Sequence, residues 1–263
     1  MKLFFSKYQG AGNDFILIDD RNLNFQLTEN QIENICNRHF GIGADGLILL
    51  QNDTEFDFRM VYFNSDGREG SMCGNGGRCI VRFAEHLNLI QNKARFIAID
   101  GWHEALINKE SIELKMSDLS EIKSYPSHFF LDTGSPHHIE FVENTAAIDV
   151  KARGAQIRYG NLYFDEGTNV NFVEILGKDS LKIRTYERGV EDETLACGTG
   201  VTAAAIAGFE SGKINSNRVK VEALGGTLEV RFEKNKSGGY ENIWLTGPAE
   251  KVFDGEINSQ LFD

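Results

Sequence analysis

Two stretches of the chain place a thiol directly before glycines and an apolar run. Residues 71–79 read SMCGNGGRC and lead into IVRFAEHLNLI, and residues 195–208 read LACGTGVTAAAIAG. The first amides of a helix have no partner within it, and the helix dipole puts partial positive charge there. A cysteine at that point has its thiolate favoured, and its pKa falls below the free value of about 8.5. Glycines let the backbone bend tightly and bring N–H groups close to a ligand, so the same turn makes a carboxylate site. Each stretch therefore offers a reactive sulfur, Cys73 or Cys197, beside an anion cradle. Two acid/base groups on opposite faces of one carbon are what stereoinversion needs: one thiolate removes a proton while the opposing thiol delivers another. Preorganised amides beside that carbon would stabilise a bound carboxylate as charge develops. Nothing in the sequence suggests a cofactor to act as electron sink, and none is expected.

A lone cysteine before a helix is more often a small buried apolar residue. The pairing of the two turns changes that balance. Cys36 and Cys79 read as packing residues, since Cys79 lies six positions beyond Cys73, about 240° around an ideal helix.

The turns belong to an internal repeat. Cys73 and Cys197 are 124 residues apart, and at that offset Gly74 meets Gly198, Gly76 meets Gly200, Tyr62 meets Tyr186 and Glu69 meets Glu193. GIGADG at 41–46 then meets DEGTNV at 165–170, with Gly43 on Gly167 and Asp45 on Asn169. With two residues of slippage GAGNDF (10–15) overlays DTGSPHH (132–138), Gly12 on Gly134 and Asn13 on Ser135. Self-similarity at a fixed period points to duplication.

The elements agree. In each half a β-rich run leads to a polar Gly loop and a further strand, FILIDD (15–20) or HIEFV (138–142). A helix follows, over 28–39 with Thr28 and Gln31 as a capping box, and over 149–159. Two strands come next, GLILLQ and FDFRMVYF in one half, NVNFVEIL and LKIRTY in the other. The Cys-Gly helix and hairpin-like strands close each half. The polar stretch SDLSEIKSYP marks a boundary near 118–126, giving halves of residues 1–118 and 119–263, with the last residues returning to the first half.

The length of 263 residues, 41% hydrophobic, is ample for a packed core. A formal charge of −12 argues against nucleic acid as a partner but not against a small anion in a local positive pocket. No apolar run approaches the roughly 18 residues of a membrane span, and the start of the chain lacks the apolar stretch of a signal peptide. Four cysteines in such a chain predict thiols in a reducing cytoplasm.

The segments GAGNDF, GIGADG, FNSDGREGSMCGNGGRC, GTNV and YERGVEDETLACGTG, in this order and spacing, resemble diaminopimelate epimerase along essentially the whole chain. The resemblance implies a cofactor-independent, metal-free enzyme that interconverts LL- and meso-diaminopimelate on the route to lysine and peptidoglycan. It also implies an α+β fold of two pseudo-symmetric halves, each a mostly antiparallel sheet wrapped around a central helix, with the active site in the cleft between them. The family tends to form homodimers. Carried over by position, Cys73 and Cys197 are the acid/base pair, and Gly74, Asn75, Gly198 and Thr199 hold the reacting carboxylate. Asn13, Asn64, Asn169 and Arg188 recognise substrate, including its distal amino acid end. Glu187 contacts the substrate amine and, with His137, tunes the thiols. A guanidinium at Arg188 also makes independent sense, because it forks onto a carboxylate. Two positions depart from the family. Gly46 stands where some members carry a glutamine, and Ser135, a substitute hydrogen-bonding group, where many carry asparagine.

Other readings carry less. Proline and hydroxyproline racemases also use paired cysteines, but YERG and GTNV favour the diaminopimelate reading. A redox or zinc role lacks a C-x-x-C or a zinc-ligand spacing, and the H-E-x-x-H-like run fails at Ile107. A dinucleotide fingerprint fails at Cys79, where a third glycine is needed. A catalytically inert binding module predicts that replacing Cys73 and Cys197 with alanine leaves function intact.

Overall fold

The run GLILLQ has every position from Gly46 to Leu50 buried. Such a run, without polar alternation, is what a strand covered on both faces requires. In the computed structural model, which describes residues 2–258, this strand sits inside the first of two compact units. The first unit contains residues 2–114 and 247–258, the second residues 115–246.

The first unit is built from β1 (Lys2–Gly10), β2 (Asn13–Asp19), α1 (Glu29–Cys36), β3 (Gly46–Gln51), β4 (Phe58–Asn64), α2 (Gly74–His86), β5 (Lys93–Ala98), β6 (Gly101–Ile107) and β7 (Ile112–Lys115). The second holds β8 (Ile122–Ser124), β9 (Phe129–Asp132), β10 (Pro136–Phe141), α3 (Val150–Arg158), β11 (Asn169–Ile175), β12 (Ser180–Glu187), β13 (Asp192–Thr194), α4 (Gly198–Glu210), β14 (Arg218–Ala223), β15 (Gly226–Lys234) and β16 (Tyr240–Gly247). The chain then returns to the first unit as β17 (Glu250–Asn258), antiparallel to β1.

The pairing pattern repeats. In the first unit β2–β3 is parallel, β3–β4 antiparallel, β4–β5 parallel and β5–β6 antiparallel. In the second, β10–β11, β11–β12, β12–β14 and β14–β15 follow the same alternation. The remaining pairings described within each unit are antiparallel, so both sheets are mostly antiparallel. The two Cys-Gly helices have identical length, 13 residues each, and occupy equivalent positions in the repeat.

Each of these helices lies inside its own sheet. α2 packs on β1, β2, β3, β6 and β17, and α4 on β9 to β12, β14 and β15. Residues 75–84 of α2 are all buried, as are residues 200–208 of α4. A helix apolar on all sides, as Val201–Ala207 nearly is, can only be a core helix. Ile80, Val81 and Ile206 are fully enclosed, and each contributes about 1.5–3 kcal/mol by leaving water. β5 and β14 instead alternate exposed and buried positions, the pattern of a strand with one solvated face.

The first helix ends earlier than its sequence suggests, at Cys36 rather than near residue 39. Asn37 is extended, and its carboxamide oxygen accepts the N–H groups of His39 and Phe40, which takes those amides away from helix continuation. The polar stretch after residue 118 is ordered: Leu119 bridges to Tyr240, and Ile122–Ser124 pair with β9. Strands β8, β13 and β17 have no clear sequence signal, because they are short or polar and are held by their partners. No helix among the described residues is long and apolar enough to cross a membrane.

The capping box is formed as the sequence predicts, with Thr28 Oγ1 accepting from Gln31 N–H and Gln31 Oε1 accepting from Thr28 N–H at 2.9 Å. Its helix buries Ile32, Ile35 and Cys36 against Ile16, Ile18, Leu47 and Leu49. Replacing Thr28 with alanine should lower stability by about 1 kcal/mol. A denaturant titration checks this, and an unchanged midpoint would show that the box contributes nothing.

Candidate active site

In the first unit Cys73 is the N-cap of α2, with extended backbone at φ −90° and ψ 131°. Its carbonyl accepts the Gly77 N–H at 2.7 Å, closing the first turn. The amides of Gly74 and Asn75 follow immediately and have no acceptor inside the helix, as at any helix start. Behind them runs a polar chain whose direction is forced. The Asp45 carboxylate only accepts, so Asn13 turns its Nδ2 to it at 2.9 Å and its Oδ1 to Asn75. Asn75 then donates to Asn13 at 2.5 Å, and its own Oδ1 receives Arg78 Nη2 at 2.8 Å. A carboxylate at one end and a guanidinium at the other leave no freedom for either amide to flip. Both carboxamides are thus engaged with protein, and Asn75 is buried.

Asn64 ends β4 opposite Gly46 and turns the chain, accepting the Gly67 N–H at 3.0 Å. No hydrogen bond described here ties it to the Cys73–Asn75–Asn13 group. Gly46 has no room for a side chain: a Cβ there would lie 2.5 Å from Tyr62 Cε2 and 2.6 Å from the Phe63 carbonyl oxygen. The tyrosine ring occupies the space that a glutamine would need.

In the second unit Cys197 is the N-cap of α4, at φ −108° and ψ 111°, and its carbonyl accepts the Val201 N–H at 2.9 Å. The neighbouring strand ends bring the other predicted residues into one group. Asn169, at the start of β11, donates to Ser135 Oγ at 2.7 Å and to the Pro136 carbonyl at 3.0 Å. Its Oδ1 accepts the backbone N–H of Arg188 at 2.9 Å. The side chain of Arg188 donates to the Glu166 carbonyl at 2.9 Å. Glu187 accepts from Thr194 Oγ1 at 2.8 Å. The repeat is reproduced in detail: Asn13 bonds Asp45 in one unit, and their equivalents Ser135 and Asn169 bond each other in the other.

His137 is fully buried, and that burial pulls its pKa down to about 4, so the ring is neutral at pH 7. Asn171 donates Nδ2 to Thr185 Oγ1 at 2.8 Å and so turns Oδ1 to His137 Nδ1 at 2.9 Å. With this assignment the imidazole proton sits on Nδ1, and Nε2 accepts from the Thr199 hydroxyl at 2.9 Å. The Thr199 oxygen, 3.4 Å from Cys197 Sγ, is then left to accept the thiol proton. Gly200 permits this packing, since a Cβ there would lie 2.7 Å from Asn171 Nδ2 and 3.2 Å from His137 Cε1.

Sequence reasoning missed Asp45, Arg78, Asn171 and Thr185. Asp45 was within reach, because the repeat sets it against Asn169. The others are recognisable only once burial and neighbours are seen. No group of three or more His, Cys, Asp or Glu side chains among the described residues is arranged to hold a metal ion.

The chain's similarities coincide with this geometry. The family profile described as diaminopimelate epimerase matches residues 5–110 and 129–252. A diaminopimelate epimerase of Flavobacterium psychrophilum is 54% identical over 98% of this chain and 100% of its own length. That of Chlorobaculum tepidum is 47% identical over 94% and 98% respectively. Among solved structures, a PhzF-family phenazine biosynthesis protein of Bacillus anthracis shares the fold with a TM-score of 0.75 at 15% identity, over 98% of this chain and 99% of that one. A hydroxyproline epimerase of Agrobacterium vitis does so with a TM-score of 0.69 at 12% identity, over 99% and 97%. With both cysteine segments inside the matched ranges, the chain belongs to the diaminopimelate epimerase family.

Proposed function

We propose that this chain interconverts LL- and meso-diaminopimelate without a cofactor, with Cys73 and Cys197 as the base and acid that act on one α-carbon. The observation that carries the reading is the equivalence of the two cysteines, each the N-cap of a buried 13-residue helix at matching positions of a duplicated fold. In each direction one sulfur takes the α-proton as a thiolate, and the other, as a thiol, donates its proton to the opposite face. Charge that develops next to the carboxylate is met by the amides of Gly74, Asn75, Gly198 and Thr199, as helix N-termini do for anions. Arg188 serves the distal carboxylate, and Glu187 the amine. Asn13 and Asn169 act by holding their neighbours, Asn75 in one unit and Ser135 with the Arg188 backbone in the other. Asn64 and Ser135 supply further polar contacts to substrate. His137 acts on Cys197 through Thr199. The enzyme works as a homodimer in a reducing cytoplasm, where its four thiols stay unbridged.

The test is α-carbon exchange in deuterated water, with diaminopimelate and with proline offered separately. Deuterium should enter diaminopimelate, and entry into proline alone would overturn the reading. Replacing Cys73 or Cys197 with alanine should each lower epimerisation by about 10²–10⁴-fold or more. Full activity in either variant would favour an inert binding module or a different acid/base pair. Because one sulfur must be charged and its partner neutral, kcat/KM should trace a bell against pH. A profile flat across both thiol titrations contradicts the two-thiol mechanism.

A further inference from the structure

Arg78 is fully buried, one turn into α2, and its guanidinium donates to the Pro248 carbonyl at 3.3 Å, the Gly74 carbonyl at 3.2 Å and Asn75 Oδ1 at 2.8 Å. All three acceptors are neutral, and among the described residues no carboxylate pairs with it. A guanidinium does not shed its proton at physiological pH, and a buried charge ordinarily has a partner of opposite sign. Several charged groups on the elements packed against α2 already have partners of their own. On the same helix Arg82 is bonded to Glu85. On β1 and β2, Lys7 pairs with Asp14, and Arg38 spans Asp14 and Asp45. On β17 Asp254 is held by Lys251 and Ser6. Tyr8 is bonded to His86 Nδ1, and on β6 His103 meets Asp100. β3 brings no charged residue to the helix.

Two thiols neighbour Arg78: Cys79 follows it in the helix, and Cys73 directly precedes Gly74, whose carbonyl the guanidinium binds. Cys79 is fully enclosed inside the helix, and burial pushes it up to about 12, so it stays neutral. Cys73 is half-buried at the helix start, where amides and dipole favour a negative sulfur. The second unit is built the other way. The repeat puts Thr202 where Arg78 stands, and Thr202 spends its hydroxyl on the Gly198 carbonyl at 3.0 Å. It puts His137 where the first unit has the apolar ring of Phe15, and His137, through Thr199, leaves an acceptor for a protonated Cys197.

The geometry points to Arg78 as a positioning residue that serves as the fixed counter-charge of a Cys73 thiolate and makes Cys73, not Cys197, the ionised member of the pair before substrate enters. This rests on the two-thiol reading above. In the forward step the Cys73 thiolate takes the α-proton, and the Cys197 thiol gives its own to the opposite face, so the proton count is unchanged. The negative charge has then moved from Cys73 to Cys197. Arg78 draws it back through proton exchange with solvent when product leaves, so the enzyme returns to one resting state.

The test is alkylation of the reduced, ligand-free protein with iodoacetamide across pH, with the Cys73 and Cys197 peptides quantified separately by mass spectrometry. The midpoint of each curve reads ionisation and is insensitive to differences in access. Cys73 should reach half-maximal rate at lower pH than Cys197. In Arg78→Gln, which keeps a donor for Asn75 without the charge, the Cys73 midpoint should rise by about one pH unit or more, at least a tenfold loss of thiolate at a fixed pH below it. The Cys197 midpoint should stay in place. Arg78→Lys should hold the Cys73 midpoint near that of the native protein, a rescue that a purely structural role would not give. A native Cys197 midpoint at or below that of Cys73, or an unmoved Cys73 curve in folded Arg78→Gln, overturns the proposal. If Arg78→Gln fails to fold, the two native curves decide. Alkylation does not depend on turnover, so this result stands apart from the deuterium exchange that tests the epimerase reading.

Discussion

The structure depends on the N-terminal start of a helix buried in a sheet, a feature each unit contains once. A helix N-terminus is an anion site because its first amides lack partners and its dipole adds positive charge. Each unit encloses one such helix and places a cysteine at its N-cap. Burial gives the arrangement its strength, since α2 and α4 are fixed on nearly every side by strands. The helix starts thus become rigid features, as a preorganised site requires.

The duplicated plan does not make the two sites equal. Both keep Cys-Gly, both keep a glycine at the third helix position, Gly76 and Gly200, and both brace the site with one side-chain bond between equivalent residues, Asn13–Asp45 and Ser135–Asn169. They differ in what stands behind the sulfur. The first unit has a buried guanidinium and an apolar ring; the second has a threonine and a neutral imidazole. The proposed two-thiol reaction, in which one sulfur takes a proton and the other gives its own to the opposite face, needs one charged and one neutral sulfur at any moment. Under that proposal, the unequal surroundings of the two sulfurs are what would set the charged one apart from the neutral one.

The carboxamide chain of the first unit shows how polar networks gain direction. Asp45 can only accept and Arg78 can only donate, so Asn13 and Asn75 between them have one orientation each. In the second unit Asn171 donates to the Thr185 hydroxyl and presents its Oδ1 to His137 Nδ1. Buried networks of this kind are costly when incomplete, so each member is constrained by the next.

The plan of the fold was legible from residues alone. The 124-residue repeat, the capping box at Thr28 and Gln31, the strand GLILLQ and the two thiol-bearing helix starts were read from sequence patterns, because caps, periodicity and glycine turns act over a few residues. The three-residue strands β8 and β13 were not legible, since their partners define them. The role of Arg78 was hidden, whereas Asp45 was within reach through the repeat that sets it against Asn169. Arg78 loses the water that would have screened it only through the packing of β1, β2, β3, β6 and β17 around α2. The sequence by itself determined which sulfurs stand at helix starts, because capping is local. Tertiary structure decided which buried groups surround each sulfur, because desolvation depends on neighbours far away in the chain.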